Sequence, residues 1–399
     1  MVIGIGNTLT GSRTSGVSIP NPVALGTIFT DTSFAAGPKY AISGSGISYT
    51  GGQINMTGGT ATFNDYITLV DPTFPFNYTC LEQWTVSIKC VTPTIGAGSY
   101  GLGIGVRSSN PTIGMNALFR WCWDTSAPAA MNMYPNNSLT SQLSSGTFTS
   151  PGSGVTVYFD VTRNKNVYTA TGYQSDHTTV MKTATFTMSL ASGATNQANN
   201  TGRFVIENFG GTNIRITEWT ITTPALKFPT WAVMGDSNTY GMFAGSNANR
   251  YAEHAITAAS KTGTICAGID DHTQDLLNRL PEILVGIQPT KGVVINIGSN
   301  DVADGVGTGT WQANITSLVN QVLAAGKICI LVAPFARNTN DLTPVQTYCA
   351  GVSGVTFLDL FTPTLGVGTA MNAAYNSGDG IHGNLACNNA VYPLLQAIL

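Results

Sequence analysis

Two hydrophobic periods divide the chain. Up to residue 227, apolar positions alternate with polar ones. Trp84, Val86, Ile88 and Cys90 form one such set, and Val155, Val157, Phe159 and Val161 form another. Successive side chains of a strand point to opposite faces, so each set marks the buried face of a half-exposed strand. Clusters of Gly, Asn, Pro and Ser separate these runs, as in PGSG at 151–154 and SGATNQANNTG at 192–202, and supply turns. No long stretch repeats at helical spacing. Many short strands between turn signals predict an all-β sandwich over residues 1–227.

Near Pro224 the pattern changes. Apolar runs now alternate with helical patterns at roughly 30-residue spacing, which is the signature of βαβ units. The predicted strands are Trp231–Met234, Gly263–Cys266, Gly292–Ile297, Ile328–Ala333 and Val355–Leu360. The run from Val293 to Ile297 lacks alternation, as a central parallel strand covered on both faces should. Trp311, Ile315, Leu318, Val319, Val322 and Leu323 mark one apolar helix face, and Gly326 closes that helix. A last helix is expected from about Leu385 to the C-terminus. Residues 228–399 are thus predicted to form a three-layer α/β/α domain.

Composition adds limits. Hydrophobic residues make up 43% of the 399 residues, enough for two full cores, and charged residues only 9%. An average soluble protein carries about 25% charged residues. The polar surface must therefore be built from Thr, Ser, Asn and Gly, which suits an extracellular, secreted or virion-associated protein. The net charge is −3 and no basic block occurs, which argues against nucleic acid as a partner. No apolar run approaches the ~18 residues that predict a membrane span. The first residues, MVIGIGNTLTGSRTSG, lack the pattern of a signal peptide; release of phage particles by lysis is one export route that needs none. Seven cysteines leave at least one unpaired. Cys80 and Cys90 are candidates to bridge neighbouring strands, and Cys349 and Cys387 to pair in the second half. Cys266 and Cys329 lie in apolar runs and read as small buried hydrophobes. No CxxC or HxH spacing is present, so neither a metal site nor a cofactor is expected.

The chemistry should lie past the carboxyl ends of the parallel strands. Polar residues do follow them: Gly235 to Gly241, Ala267 to His272, Gly298 to Asp301, Pro334 to Asn338, and Gly378 to Asn384 before the last helix. A serine becomes a nucleophile through a base, and the base needs a third group to fix its tautomer. Ser237 follows Gly235 on a tight strand-to-loop turn. Asp379 and His382 are three residues apart, a spacing that lets a carboxylate lie beside the imidazole. Asn300 offers a side-chain amide for an oxyanion, and the backbone N–H groups of Gly268 and Ser237 offer two more.

These blocks resemble those of the SGNH/GDSL hydrolases. Gly235-Asp-Ser-Asn238 is similar to their first block, Gly298-Ser-Asn-Asp301 to their third, and Asp379-Gly-Ile-His382 to their fifth. The resemblance covers residues 228–399. It implies a flavodoxin-like sheet, Ser237, Asp379 and His382 as catalytic triad, and Gly268 and Asn300 in the oxyanion hole. Three departures stand out: Asp271 lies where the second block has a further Gly, Gly383 where many members have Pro, and Cys387 where many have Gly. GxSxG is absent, unlike in α/β-hydrolases. The closing strands of the first half, Arg203 to Gly211 and Ile214 to Trp219, loosely resemble those of concanavalin-A-like jelly rolls, whose last strands flank the first.

Blander readings compete. A lone GDS is a common turn, and Asp301 reads as a loop cap. His254 and His272 are rival bases. Asp270, Asp271 and Asp301 together form a conceivable cation site. Arg337 either binds an anionic substrate group or balances Asp341. Trp121, Trp123 and Tyr134 either stack on sugar rings or fill the core. The expected function is a serine esterase, acting as an O-acetyl esterase on an acetylated glycan. The alternatives are a lipase, thioesterase or arylesterase, or a virion or cell-surface glycan-binding protein with a vestigial hydrolase domain.

Overall fold

A computed structural model of the chain describes residues 21–57, 65–76, 79, 81–93, 99–107, 115–124, 129–135, 143–148, 151–190, 202–209 and 213–399. Among the described residues, the first half holds fifteen strands. In chain order they are β1 (Val23–Asp31), β2 (Tyr40–Ser43), β3 (Ile47–Thr50), β4 (Gln53–Met56), β5 (Asp65–Leu69), β6 (Gln83–Val91), β7 (Ser99–Arg107), β8 (Met115–Asp124), β9 (Ala129–Pro135), β10 (Leu143–Phe148), β11 (Thr156–Asn164), β12 (Val167–Tyr173), β13 (Val180–Thr187), β14 (Arg203–Phe209) and β15 (Ile214–Lys227). One sheet runs β13-β12-β11-β6-β15-β4-β3, with β1 also paired to β15. The other runs β10-β9-β8-β7-β14-β5-β2. All of these pairs are antiparallel, and the last strand flanks the first, as the jelly-roll resemblance implied.

The alternation read from the sequence sets the register. Val157, Phe159 and Val161 of β11 stand opposite Cys90, Ile88 and Val86 of β6, and all six are buried. A one-residue slip would turn every one of them to the solvent. Trp84 of β6 meets Phe204 of β14 edge to face, 5.5 Å between ring centroids, which locks one sheet onto the other. Val155 departs from the expected set. It precedes β11, is exposed, and is tied by its N–H to the Thr92 hydroxyl at 2.9 Å. Trp121, Trp123 and Tyr134 lie on β8 and β9, but their side chains are outside the described residues. Cys80 is also outside them, while Cys90 is a free buried thiol.

The second half contains β16 (Trp231–Gly235), β17 (Gly263–Ala267), β18 (Gly292–Asn296), β19 (Ile328–Ala333) and β20 (Thr356–Asp359). They form a parallel sheet in the order β17-β16-β18-β19-β20. Every residue of β16 and β18 is buried, which is why neither run alternates. The helices are α1 (Ser237–Tyr240), α2 (Tyr251–Ala258), α3 (Thr273–Pro281), α4 (Ser299–Ala303), α5 (Thr308–Ala324), α6 (Thr343–Gly351), α7 (Phe361–Thr364) and α8 (Leu385–Gln396). Parallel crossovers are right-handed, so the reversal of direction after β17 places α2 on one face and α3, α5 and α6 on the other. Helix α8 packs on α2, completing the three layers. The predicted face of α5 is buried, with Leu323 at its margin, and Gly326 follows at φ +69.

One expectation fails here. Cys349 and Cys387 are separate, free and buried thiols, and burial pushes both up to about 12. Cys349 belongs to α6 and Cys387 to α8, elements that the crossover rule sets on opposite faces of the sheet. Nearness of two cysteines in sequence carries no information about such layering.

Candidate active site

The sheet order reverses between β16 and β18, and a crevice at such a switch point is where doubly wound folds bind ligands. β16 ends at Gly235. A Cβ there would lie 2.1 Å from the Thr239 hydroxyl and 2.8 Å from the Asn296 carbonyl oxygen, so only glycine lets the chain fold back this tightly. Asp236 caps α1 by accepting the Asn238 N–H at 3.0 Å. It is fully buried, and burial pushes its carboxyl up to about 6 against the pull of that hydrogen bond. Ser237 is the first residue of α1, so its own N–H has no acceptor within the helix.

The partner loop precedes α8. Gly378 at φ +108 and Gly380 at φ +75 turn the backbone on either side of Asp379. One Asp379 oxygen accepts from the Ser377 hydroxyl at 2.8 Å, the Ile381 N–H at 2.8 Å and the His382 N–H at 2.9 Å. The other lies 2.6 Å from His382 Nδ1. Burial works against the charged form, but the His382 ring and the two backbone N–H groups outweigh it, holding this carboxyl well below the usual range. A carboxylate only accepts, so Nδ1 carries the proton and Nε2 presents its lone pair. Nε2 lies 2.8 Å from Ser237 Oγ. The three residues named from the sequence are therefore one hydrogen-bonded chain, with Ser237 and His382 both buried.

The two expected oxyanion donors differ in what their N–H groups already bond to. Asn300 sits in α4 directly after β18, where Gly298 turns the chain at φ +110. Its amide donates to the Asp271 carbonyl at 3.0 Å, and its carbonyl oxygen faces Arg337 Nη1 at 3.4 Å. An amide has two N–H bonds, so a second remains for a ligand. The Gly268 N–H, in contrast, donates to the Gly235 carbonyl at 3.1 Å. It extends the β16–β17 ladder by one bond and is unavailable to an oxyanion. The unusual residue of this loop is Asp270, at φ +59.

The rival readings resolve in the same way. His254 stacks on Tyr392 at 3.6 Å between centroids. His272 faces Asp304 at 2.9 Å and Asp275 at 3.6 Å. The three aspartates form no cation cluster. Asp271 pairs with Arg279, Asp301 accepts from the Thr273 N–H and hydroxyl at 2.9 and 2.7 Å, and Asp270, whose carboxyl burial pushes up, feels the charges of His382, Asp304, His272 and Arg337. Asp301 thus ties down the start of α3. Arg337 does not balance Asp341, which accepts the Thr343 N–H; it turns instead to Ser299 and Asn300.

Two residues escaped the sequence reading. Asn238 accepts the Gly383 N–H at 3.2 Å and so ties the Ser237 turn to the His382 loop. This bond also explains Gly383: proline has no N–H to donate, and even a Cβ would lie 2.7 Å from Cys387 Sγ. Phe243 packs its ring on His382, centroids 5.7 Å apart. The Asn in GDSN was a visible signal; Phe243 had none.

Residues 233–388 match the model of the GDSL-like Lipase/Acylhydrolase family. This part of the chain is a GDSL-like acylhydrolase domain, an ester-hydrolysing serine hydrolase. Among solved structures, the chain is similar to a GDSL-like lipase from Bacteroides thetaiotaomicron VPI-5482, with 22% identity over 42% of this chain and 86% of that one and a TM-score of 0.35. It is also similar to the CBM2 module of the evolved Dit of Lactobacillus casei BL23 phage J-1, with 9% identity over 50% of this chain and 95% of that one and a TM-score of 0.37. A third is lectin II from Ulex europaeus, with 12% identity, 49% and 97% covered, and a TM-score of 0.36. No curated protein matches the chain.

Proposed function

We propose that the protein is a carbohydrate O-acetyl esterase in which Ser237 is the nucleophile, His382 the base and Asp379 the group that orients and charges-balances His382. The hydrogen-bonded chain from Asp379 through His382 to Ser237 carries this reading. His382 Nε2 takes the Ser237 proton as Oγ attacks the ester carbonyl, then returns it to the departing alcohol. A water then repeats the sequence on the acyl-enzyme and releases the acid. The imidazolium formed in each half is stabilised by Asp379, whose carboxyl stays ionised. The carbonyl oxygen gains charge in both steps, and the Ser237 N–H with the free N–H of Asn300 are its donors.

The choice of a glycan rests on the sandwich. It is joined directly to the hydrolase domain, and the Leu190 carbonyl of the sandwich accepts the N–H of Phe243, the residue packed on His382. A polymer lying along the sandwich would therefore run past the triad. The sparse charge and Thr, Ser, Asn and Gly richness support a place outside the cell, secreted or on a virion. Acetate release from a panel of acetylated polysaccharides, with Ser237→Ala as control, tests the reading. Release from acyl-lipid or acyl-thioester substrates alone, and none from polysaccharide, would overturn the substrate class while leaving the chemistry.

A further inference from the structure

The turn that carries Ser237 is gripped from the sandwich side through one buried arginine. Arg250, immediately before α2, is fully buried. Its Nε donates to the Asn247 carbonyl at 3.1 Å. Nη1 donates to the Tyr240 carbonyl at 3.3 Å and to Glu82. Nη2 donates to Glu82 at 2.9 Å and to Glu253 at 2.5 Å. A guanidinium has five N–H donors, and all five have acceptors here. The stem of Arg250 fills the space under Gly241, where a Cβ would fall 2.0 Å from its Cγ and 2.3 Å from its Cδ.

Tyr240 is the last residue of α1, and Gly241, at φ +88, is its cap. The Gly241 N–H bonds back to the carbonyls of Ser237 and Asn238. Arg250 thus touches the far end of a four-residue helix whose first residue is Ser237. So short a helix does not hold its own shape and depends on what it packs against.

Glu82 belongs to the sandwich, one residue before β6. Its two oxygens bind the two terminal nitrogens of Arg250, a forked contact that fixes the plane of the guanidinium. The sandwich residue Lys165 supports both acids, with its N–H on the Glu82 carbonyl at 2.6 Å and its Nζ on Glu253 at 2.5 Å. A second link runs in parallel. The Leu190 carbonyl accepts the Phe243 N–H at 2.8 Å, Phe243 is held at φ +60, and the neighbouring Met242 N–H bonds to the Ser237 carbonyl at 3.0 Å.

We propose that Glu82 is a positioning residue for ester hydrolysis: through Arg250, the sandwich domain sets the turn that presents Ser237 to His382. The sandwich is then part of the catalytic framework as well as a surface for substrate. This rests on Ser237 being the nucleophile. Small displacements of a reacting group lower rate steeply, so the effect should appear in turnover more than in binding.

The test uses the full chain, a small soluble acetyl ester and a serine-directed fluorophosphonate. The final extent of labelling counts folded sites, while kcat per labelled site reads geometry. Glu82→Gln should lower kcat per labelled site by about tenfold to a hundredfold while KM stays within about twofold. Glu82→Asp should recover part of the loss, and Arg250→Lys combined with Glu82→Gln should be no worse than the weaker single variant. A Glu82→Gln protein that melts earlier but turns over normally per labelled site would mean a structural role only, and would overturn the proposal. If Glu82→Gln does not fold, unchanged kcat per labelled site in Glu82→Asp overturns it equally. Absence of label on Ser237 in the unaltered protein is a different outcome, which removes the nucleophile assignment itself.

Discussion

His382 Nε2 lies 2.8 Å from Ser237 Oγ although 145 residues separate the two along the chain. The contact depends on β16 and the loop before α8 ending at the same edge of one sheet. If it is the proton path of an acyl transfer, Ser237→Ala should lower kcat by about four to six orders of magnitude with the melting temperature nearly unchanged. Ester turnover beside a thermal melt checks this, and retention of more than a few per cent of the activity would contradict the assignment.

Asp379 gives a sharper test, because it acts only through His382. Asp379→Asn keeps the shape but offers an N–H where an acceptor is needed, so Nδ1 loses the partner that fixes its tautomer. A fall of about 10⁴-fold in kcat is expected, with fluorophosphonate labelling slowed in proportion. The same carboxyl also links fold to pH. Its folded value lies below the ordinary 3.8, so its contribution to stability is present above that value and is lost as pH falls through the lower folded one. Acid melts of Asp379→Asn should show a shallower loss over that window than the unaltered protein.

Asn300→Ala removes the amide but not the Ser237 N–H. It should lower kcat by about 10²–10³-fold and leave KM within a few-fold, since the oxyanion exists only in the transition state. Steady-state kinetics on a small acetyl ester decide it. By the same geometry, a variant that changes Gly268 should act through folding of the β16–β17 edge and not through kcat per active site.

His272 predicts an alkaline limit to stability. Its ring is raised to about 9, first by the Asp275 hydrogen bond, against burial, and then by Asp301 and Asp304. The folded value exceeds the ~6.5 of an unfolded histidine, so the stabilisation is complete below about pH 6.5 and is lost as pH rises through about 9. Melting temperatures across that range should decline, and Asp304→Asn should flatten the decline.

Gly235→Ala should disrupt the domain, because the added Cβ meets the Thr239 side chain and the backbone oxygen of Asn296 on the neighbouring strand. A loss of about 3 kcal/mol or more is expected, from the strain of forcing an atom into a closed core. Normal stability by chemical denaturation would show that the turn can open without cost.

Both folds were legible in the sequence, and so were the three residues that the structure joins in one hydrogen-bonded chain. The five parallel strands of the described residues overlap the runs read from the sequence, and the central two, β16 and β18, do not alternate because both of their faces are buried. The buried faces of β6 and β11 follow from a period of two, while their pairing is seen only in the structure. Val155 broke that period only at the strand end, where a turn hydrogen bond overrides it. Ser237, Asn300, Asp379 and His382 could be named as candidates because their motifs are short and local and stand at strand ends or before the last helix.

What the sequence could not supply is what depends on which groups meet across space. It did not reveal that the Gly268 N–H closes on Gly235, that Cys349 and Cys387 lie in separate elements, or that Arg337 turns to Asn300 and not to Asp341. It gave no sign that Glu82 grips Arg250, since the two are 168 residues apart and carry no motif. Local patterns set periods, turns and reactive groups through bonded neighbours and side-chain chemistry. Hydrogen-bond partners between distant segments are chosen only when the two cores pack, and that packing is what fixed the surroundings of the triad.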